Sequence, residues 1–410
     1  MGSAREVARR CGFDPAFQWW SGLDEVNYHT LADFGVAKQK ELEELFTQVL
    51  AALSKEGLIT LEQVMPDGTQ IKAQASSRSY HQEQAIREHL ERARRRVAEM
   101  GDPGNEESHP RSKQARAPGR REQQERLENA LQERAKLQNR KHGEKAKNKV
   151  PVSSSDPHAR VMHPCDGGSA LSYNAQISAD AAQGLIVGVA VTPEANDTGQ
   201  LLPAVERIAE RLQGKPQQMV ADAGYTPGAA IAEMAERQVD FLGSMPREDA
   251  CTGRTAPHRL PPSAFIFQPE TNRYVGPEGK FLRHEGCFQK ERGLVSRRYG
   301  AQAEDCLSCA RKPECCPENR SGRGILRWEE SAGVLAIRQK METEEARGSY
   351  RRRGRVVEFC HAWIKSKLGL RQFHVPGLVK VQLEMLWACL TYNLQPWIRL
   401  RKPLPTPATG

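Results

Sequence analysis

A mixed α/β fold, with a sheet part antiparallel and part parallel, is predicted for this chain by three observations. Residues 171–179 and 185–193 are β-rich runs facing each other across Gln183-Gly184, the signature of a hairpin. Residues 198–213 place Leu201, Leu202, Val205, Ile208, Ala209 and Leu212 on one side of a helix. A short strand at 217–221, a helix at 229–238 and a strand at 239–243 follow, and such alternation is what a parallel layer requires.

The flanking segments are read in the same way. Residues 1–57 form short helices, the last of which carries Leu42, Leu45, Phe46, Val49 and Leu53 at helical spacing. The chain opens inside a helical pattern with no capping residue, as expected of a copy lacking upstream sequence. Residues 58–78 supply the first strand of the core, extended over 58–75 but broken at Pro66-Asp67-Gly68. Charged helices are expected at 80–100 and 120–139, with loops at 101–104 and 110–119 between them. The whole stretch 79–150 has too few apolar residues to stand alone, so it either docks on another element or is partly disordered without DNA. The core resumes over 151–244, and Pro-, Gly- and Cys-containing sequence interrupts it over 245–335. Helices at 343–368 and 377–400 complete the core within 336–402, ahead of a disordered tail at 403–410. There is no internal repeat.

Of the 410 residues, 38% are hydrophobic and 27% charged, the balance of a soluble globular protein. No apolar run is long enough to span a bilayer, and the first residues lack the apolar core of a secretory signal. A cytoplasmic protein is expected. The formal charge is +9, and residues 81–150 hold 18 Lys/Arg against 12 Asp/Glu, a net of +6. Such a stripe suits a polyanion, because each phosphate it neutralises releases condensed counterions; a solvated helical face would look the same. Ten cysteines in a cytoplasmic chain do not suggest disulfides. Cys287, Cys306, Cys309, Cys315 and Cys316 fall within thirty residues and read as metal binding, whereas Cys11, Cys165, Cys251, Cys360 and Cys389 are scattered.

Three carboxylates stand out. Asp222 follows the strand at 217–221 within Val220-Ala-Asp-Ala-Gly-Tyr225, and ligands collect at the carboxyl ends of strands in open α/β sheets. It would serve equally as the N-cap of the next helix. Glu358 lies on a helix rich in cations (Arg351, Arg352, Arg353, Arg355), and Lys365, two turns on, shares its face. A carboxylate for a divalent metal, flanked by cations for phosphates, is what phosphodiester cleavage needs; a lattice of surface ion pairs is the plainer alternative. Asp67-Gly68, between extended runs, is also a hairpin-turn signal.

Together these segments resemble a bacterial insertion-sequence transposase of the DDE class. The landmarks are Val26-Asn-Tyr-His-Thr-Leu-Ala-Asp-Phe34, Asp67-Gly-Thr69, Ser172-Tyr-Asn-Ala-Gln176, Ala195-Asn-Asp197 and Ala221-Asp-Ala-Gly-Tyr225. Tyr350 and Arg353 followed by Glu358 and Lys365, Gly369-Leu-Arg-Gln-Phe373, and Tyr392-Asn393-Leu394 extend the likeness over nearly the whole chain. The resemblance implies a ribonuclease-H-like core: a mixed five-stranded sheet flanked by helices, with a charged helical insertion after strand one and a Cys-rich insertion before the last helices. It implies carboxylates from the first strand, after the fourth strand and from a late helix. Asp222 and Glu358 match the second and third. Asp67 is preferred for the first, with Asp180 as the alternative, because Asp180 lies at the hairpin turn and so near the start of strand one, away from Asp222.

The resemblance further implies Mg²⁺ or Mn²⁺ held by Asp67, Asp222 and Glu358, with Tyr350, Arg353 and Lys365 positioning DNA. Its partners would be double-stranded DNA, both transposon ends and target, and further copies of the chain in a dimer or larger synaptic assembly. A zinc site on Cys306, Cys309, Cys315 and Cys316 is implied as well, although Gly276 stands where relatives carry another Cys, which leaves Cys287 or Cys316 as fourth ligand. Pro376 stands where relatives tend to be basic. The family also carries a helical segment upstream of the present Met1, so a truncated copy is expected. Three other readings remain open on sequence: an endonuclease that cuts without joining, a non-catalytic DNA-binding remnant, and a Cys-rich structural module.

Overall fold

The central strand of the sheet, β1 (Gln63–Lys72), runs without a break through Pro66-Asp67-Gly68, where sequence reading expected a turn. Its whole length pairs antiparallel with β5 (Ala170–Asp180), from Val64↔Asp180 to Lys72↔Ser172. Nine consecutive partners outweigh the turn preference of one Asp-Gly pair. The structure, a computed structural model, describes residues 4–99, 110–140, 150–164, 167–225, 228–244, 260–291, 294–317, 322–329 and 332–401.

On its other side β1 pairs parallel with β7 (Gln218–Ala221), which pairs parallel with β8 (Asp240–Gly243). The outer side of β5 carries β6 (Leu185–Thr192) and, beyond its end, the short β4 (Arg160–Met162). The sheet therefore has six strands in place of the expected five, in the order β6-β5-β1-β7-β8 with β4 beside β5. The small ribbon of β2 (Tyr80–His81) and β3 (Val152–Ser153) is separate.

Helices cover both faces. The N-terminal helices α1 (Ala4–Cys11), α2 (Pro15–Trp20) and α3 (Tyr28–Ala37) precede α4 (Gln39–Lys55), which buries Leu42, Phe46, Val49, Leu50 and Leu53 in the main core. Leu45, expected on that face, is 41% exposed. Two further helices, α5 (Glu83–Ala98) and α6 (Pro110–Asn139), pack on each other through Ile86, Leu90, Ala93, Leu127 and Ala130. The loop expected at 110–119 is helical, with Pro110 at the first position, where a missing N–H costs nothing. Among the described cations of this pair, Arg87 and Arg134 are matched by Glu83 and Arg94 by Glu128, so part of the basic stripe is tied up in local ion pairs.

After the sheet hairpin come α7 (Leu201–Leu212) and α8 (Gly228–Glu236), close to the expected bounds. The Cys-rich segment is more regular than its composition suggested. It forms a second, antiparallel sheet of β9 (Ile266–Gln268), β10 (Arg273–Val275), β11 (Phe281–Glu291), β12 (Leu294–Ala301) and β13 (Gly324–Glu329), with short helices α9 (Ala303–Leu307) and α10 (Lys312–Cys315). This unit has its own core around Phe265, Tyr274, Leu282, Tyr299 and Ile325. The chain then returns to the main core through α11 (Ala332–Lys340), α12 (Glu344–Lys367) and α13 (Leu378–Arg401). Among the described residues no helix is long and apolar enough to cross a membrane.

Candidate active site

Pairing between β1 and β7 stops at Val64↔Met219, two residues before Pro66. Past that point the two strands are no longer bonded to each other, and a crevice opens at the carboxyl end of β7. Carrying the register forward sets Asp67 level with Asp222, the residue that follows β7. Asp222 Oδ1 accepts from Gly224 N at 2.8 Å, so it caps its turn while its second oxygen stays uncommitted to that bond. The two readings left open for Asp222, cap and site residue, are compatible.

The third carboxylate comes from α12. Thr343 caps this helix, accepting from Ala346 N at 3.3 Å. Its buried stripe is Ala346, Arg353, Val356, Val357, Cys360, His361 and Ile364, and this stripe packs on the sheet. Arg353 and His361 thus enter the core beside β1. Arg353 Nη2 donates to Asp67 Oδ1 at 3.0 Å, and His361 Nε2 lies 3.2 Å from the Asp67 carbonyl oxygen. Glu358, just off the stripe, is exposed and lies back toward Gly354, where no side chain covers it. Lys365 Nζ donates to Thr69 Oγ1 at 2.6 Å, and Tyr350 lies under the Arg353 guanidinium at 5.8 Å.

The electrostatics reflect this crowding. Burial, then the carboxylates of Asp222, Asp197 and Glu358, push the Asp67 carboxyl up to about 7 against the pull of Arg353. Burial holds the His361 imidazole down at about 4, so the ring is neutral and its Nε2–H serves the Asp67 carbonyl. A carboxyl whose native pKa exceeds its unfolded value of 3.8 stabilises the fold at low pH, and that contribution is lost as pH rises toward 7. In metal-free buffer, Asp67→Asn should therefore gain on wild type by ~4 kcal/mol between pH 4 and pH 8. Urea unfolding of both proteins across that range checks it, and a constant difference would show that Asp67 is ionised throughout.

Asp180, the alternative first carboxylate, is elsewhere. It is fully buried opposite Val64, and its oxygens accept from Thr60 N (3.1 Å), Leu61 N (2.8 Å) and Ala182 N (2.9 Å). All three bonds are to backbone, so Asp180 braces the start of β1.

Sequence reading used Ala195-Asn-Asp197 only as a landmark, yet Asp197 reaches the crevice. Its Oδ1 accepts from Asn174 Nδ2 at 2.9 Å and from Gln176 Nε2 at 2.6 Å, both on β5. Tyr225 OH in turn donates to Gln176 Oε1. The local signal was available: Asn174 and Gln176 alternate on a strand buried on both faces and need a polar partner.

Among the described residues no three His, Cys, Asp or Glu side chains are gathered closely enough to hold a metal ion as they stand. The donor chemistry of the crevice nonetheless fits a divalent cation. Hard carboxylate oxygens are concentrated there, and one of them, on Asp67, is pushed toward neutrality by burial and by the neighbouring carboxylates. Of the cysteines, Cys306, Cys315 and Cys316 are buried in the core of the small sheet and Cys309 is half-buried beside them. Burial and the sulfurs of Cys306 and Cys315 push the Cys316 thiol up to about 12. As thiols, these side chains pack as small apolar groups. The side chain of Cys287, on β11, lies outside the described residues, as do Cys165 and Cys251.

Fold and site together define a mixed α/β protein with Asp67 on a central strand, Asp222 after its parallel neighbour and Glu358 on a helix packed against the sheet. Residues 277–397 match the family model described as Transposase DDE domain, which supports a DDE-class transposase. The match takes in the five clustered cysteines, Tyr350, Arg353, Glu358 and Lys365, but Asp67, Asp197 and Asp222 lie outside it. It is thus shorter than the nearly full-length resemblance expected from the landmarks. No curated protein matches the chain.

Proposed function

We propose that this chain is a DNA transposase with a ribonuclease-H-like core, which cleaves transposon ends and joins them to target DNA. What supports the reading is the register of β1 against β7, which carried three residues on would bring Asp67 level with Asp222, together with the influence of both Asp222 and Glu358 on the Asp67 carboxyl. Asp67, Asp222 and Glu358 would hold Mg²⁺ or Mn²⁺, and the bound ions would supply Lewis acidity for the attacking water or 3′-hydroxyl and for the leaving 3′-oxygen. Arg353, now bonded to Asp67, keeps that side chain in one orientation. His361 holds the backbone of the same residue, and its neutral ring adds no further positive charge beside that of Arg353. Lys365, anchored at Thr69, and Tyr350 line the approach from α12 and would meet the phosphate. DNA is the partner that the transposase family implies.

The test uses purified protein with DNA that borders its own gene, with and without Mn²⁺. Nicks that leave 3′-hydroxyl ends at the element's boundaries, followed by joining of those ends to a second duplex, are expected. Nicking without joining would reduce the protein to an endonuclease. Binding without metal-dependent nicking would leave a non-catalytic DNA-binding protein.

A further inference from the structure

The crevice holds one acidic residue that the DDE set does not use. Strand alternation sends Asp67 and Thr69 toward α12, and Gly68 toward the opposite face, where Asn174 and Gln176 lie. Asp197 enters from that face. A methyl group on Gly68 would sit 2.1 Å from Asp197 Oδ1, so only a glycine lets this carboxylate come against β1. A methyl group on Gly224 would lie 2.9 Å from Asp222 Oδ1 and 3.4 Å from Asp197 Oδ2. The two carboxylates therefore flank the same glycine, no farther apart than those distances laid end to end.

We propose that Asp197 is a fourth acidic ligand of the divalent-cation site, with its Oδ1 held by Asn174 and Gln176 and its Oδ2 offered beside Asp222. The inference rests on the reading of Asp67, Asp222 and Glu358 as cation ligands. Two buried amide donors on one oxygen orient the carboxylate and leave the other oxygen facing the crevice. A separate observation points to an absent occupant. Asn174 is 2% exposed, and its Oδ1 is buried with no hydrogen-bond partner, 2.8 Å from where a methyl group on Gly68 would be. An orphaned hard oxygen beside a clamped carboxylate is what a cation, or water bound to it, would satisfy.

Asp197→Asn is the informative variant, because its amide oxygen can still accept from Asn174 and Gln176 while the anionic Oδ2 is lost. Mn²⁺ binding to the full chain, followed by electron paramagnetic resonance without DNA, should weaken about tenfold or more in this variant, as it should in D222N. In wild type, Fe²⁺ with ascorbate and peroxide should cut the backbone near 197 as well as near 67 and 222. This map needs no substitution and decides the matter even if D197N fails to fold. Should D222N lose Mn²⁺ while D197N titrates like wild type, or should radical cleavage spare residues around 197, Asp197 is no ligand and the proposed function stands. No uptake of Mn²⁺ by wild type would overturn both.

Discussion

Asp222→Asn is expected to lower Mn²⁺-dependent nicking about 10³-fold or more, because carboxylates that act as a unit on shared cations fail together. Asparagine keeps an acceptor for Gly224 N, so the turn after β7 should survive. Glu358→Gln should behave alike, with less risk to the fold, since Glu358 is exposed on α12. DNA retention should be no weaker in either variant, because each removes a negative charge from a surface that would face phosphates. The measurement is nicking of supercoiled plasmid beside a gel-shift on the same samples. Residual cleavage near the wild-type rate in D222N would take Asp222 out of the site, and β1–β7 register would lose its functional meaning.

Asn393→Leu is expected to destabilise the protein by about 2–5 kcal/mol, read as a shift of the urea midpoint at constant slope. Among the described residues the outer edge of β6 pairs with no strand, and side chains of α13 serve it. Asn393 is fully buried; its Oδ1 accepts from Ile186 N at 2.8 Å and its Nδ2 donates to Ile186 O at 2.7 Å, as a neighbouring strand would. Gln382 Oε1 takes Val191 N at 2.6 Å, and Tyr392 OH donates to Gly184 O at 3.1 Å. Leucine would fill much the same volume but orphan both backbone groups of Ile186 in a dry interface. A loss below about 1 kcal/mol would mean that water or a shifted strand replaces the amide.

The hairpin, α7, β7, α8 and β8 were legible to within a few residues, because burial on one or both faces imposes a periodicity that side chains cannot hide. Glu358 and its companions on α12 were legible for the same reason, as a polar run set against the stripe at Arg353, Val357, His361 and Ile364. The strand through Pro66-Asp67-Gly68 was not, since local turn preference carries no record of the nine partners that β5 supplies. Nor was the small antiparallel sheet of the Cys-rich segment, whose strands β9 and β10 have only three residues each.

Asp197 marks the boundary most clearly. By itself the amino-acid sequence determined the hairpin and most helices of the main core, and which carboxylates stood after a strand or on a cationic helix, because these follow from local propensity and periodic burial. Only the tertiary structure decided that Asp180 braces backbone, that Arg353 and His361 hold Asp67, and that Asp222 and Asp197 both lie against Gly224. Those outcomes depend on register between strands far apart in the chain, and register is a property of the packed sheet.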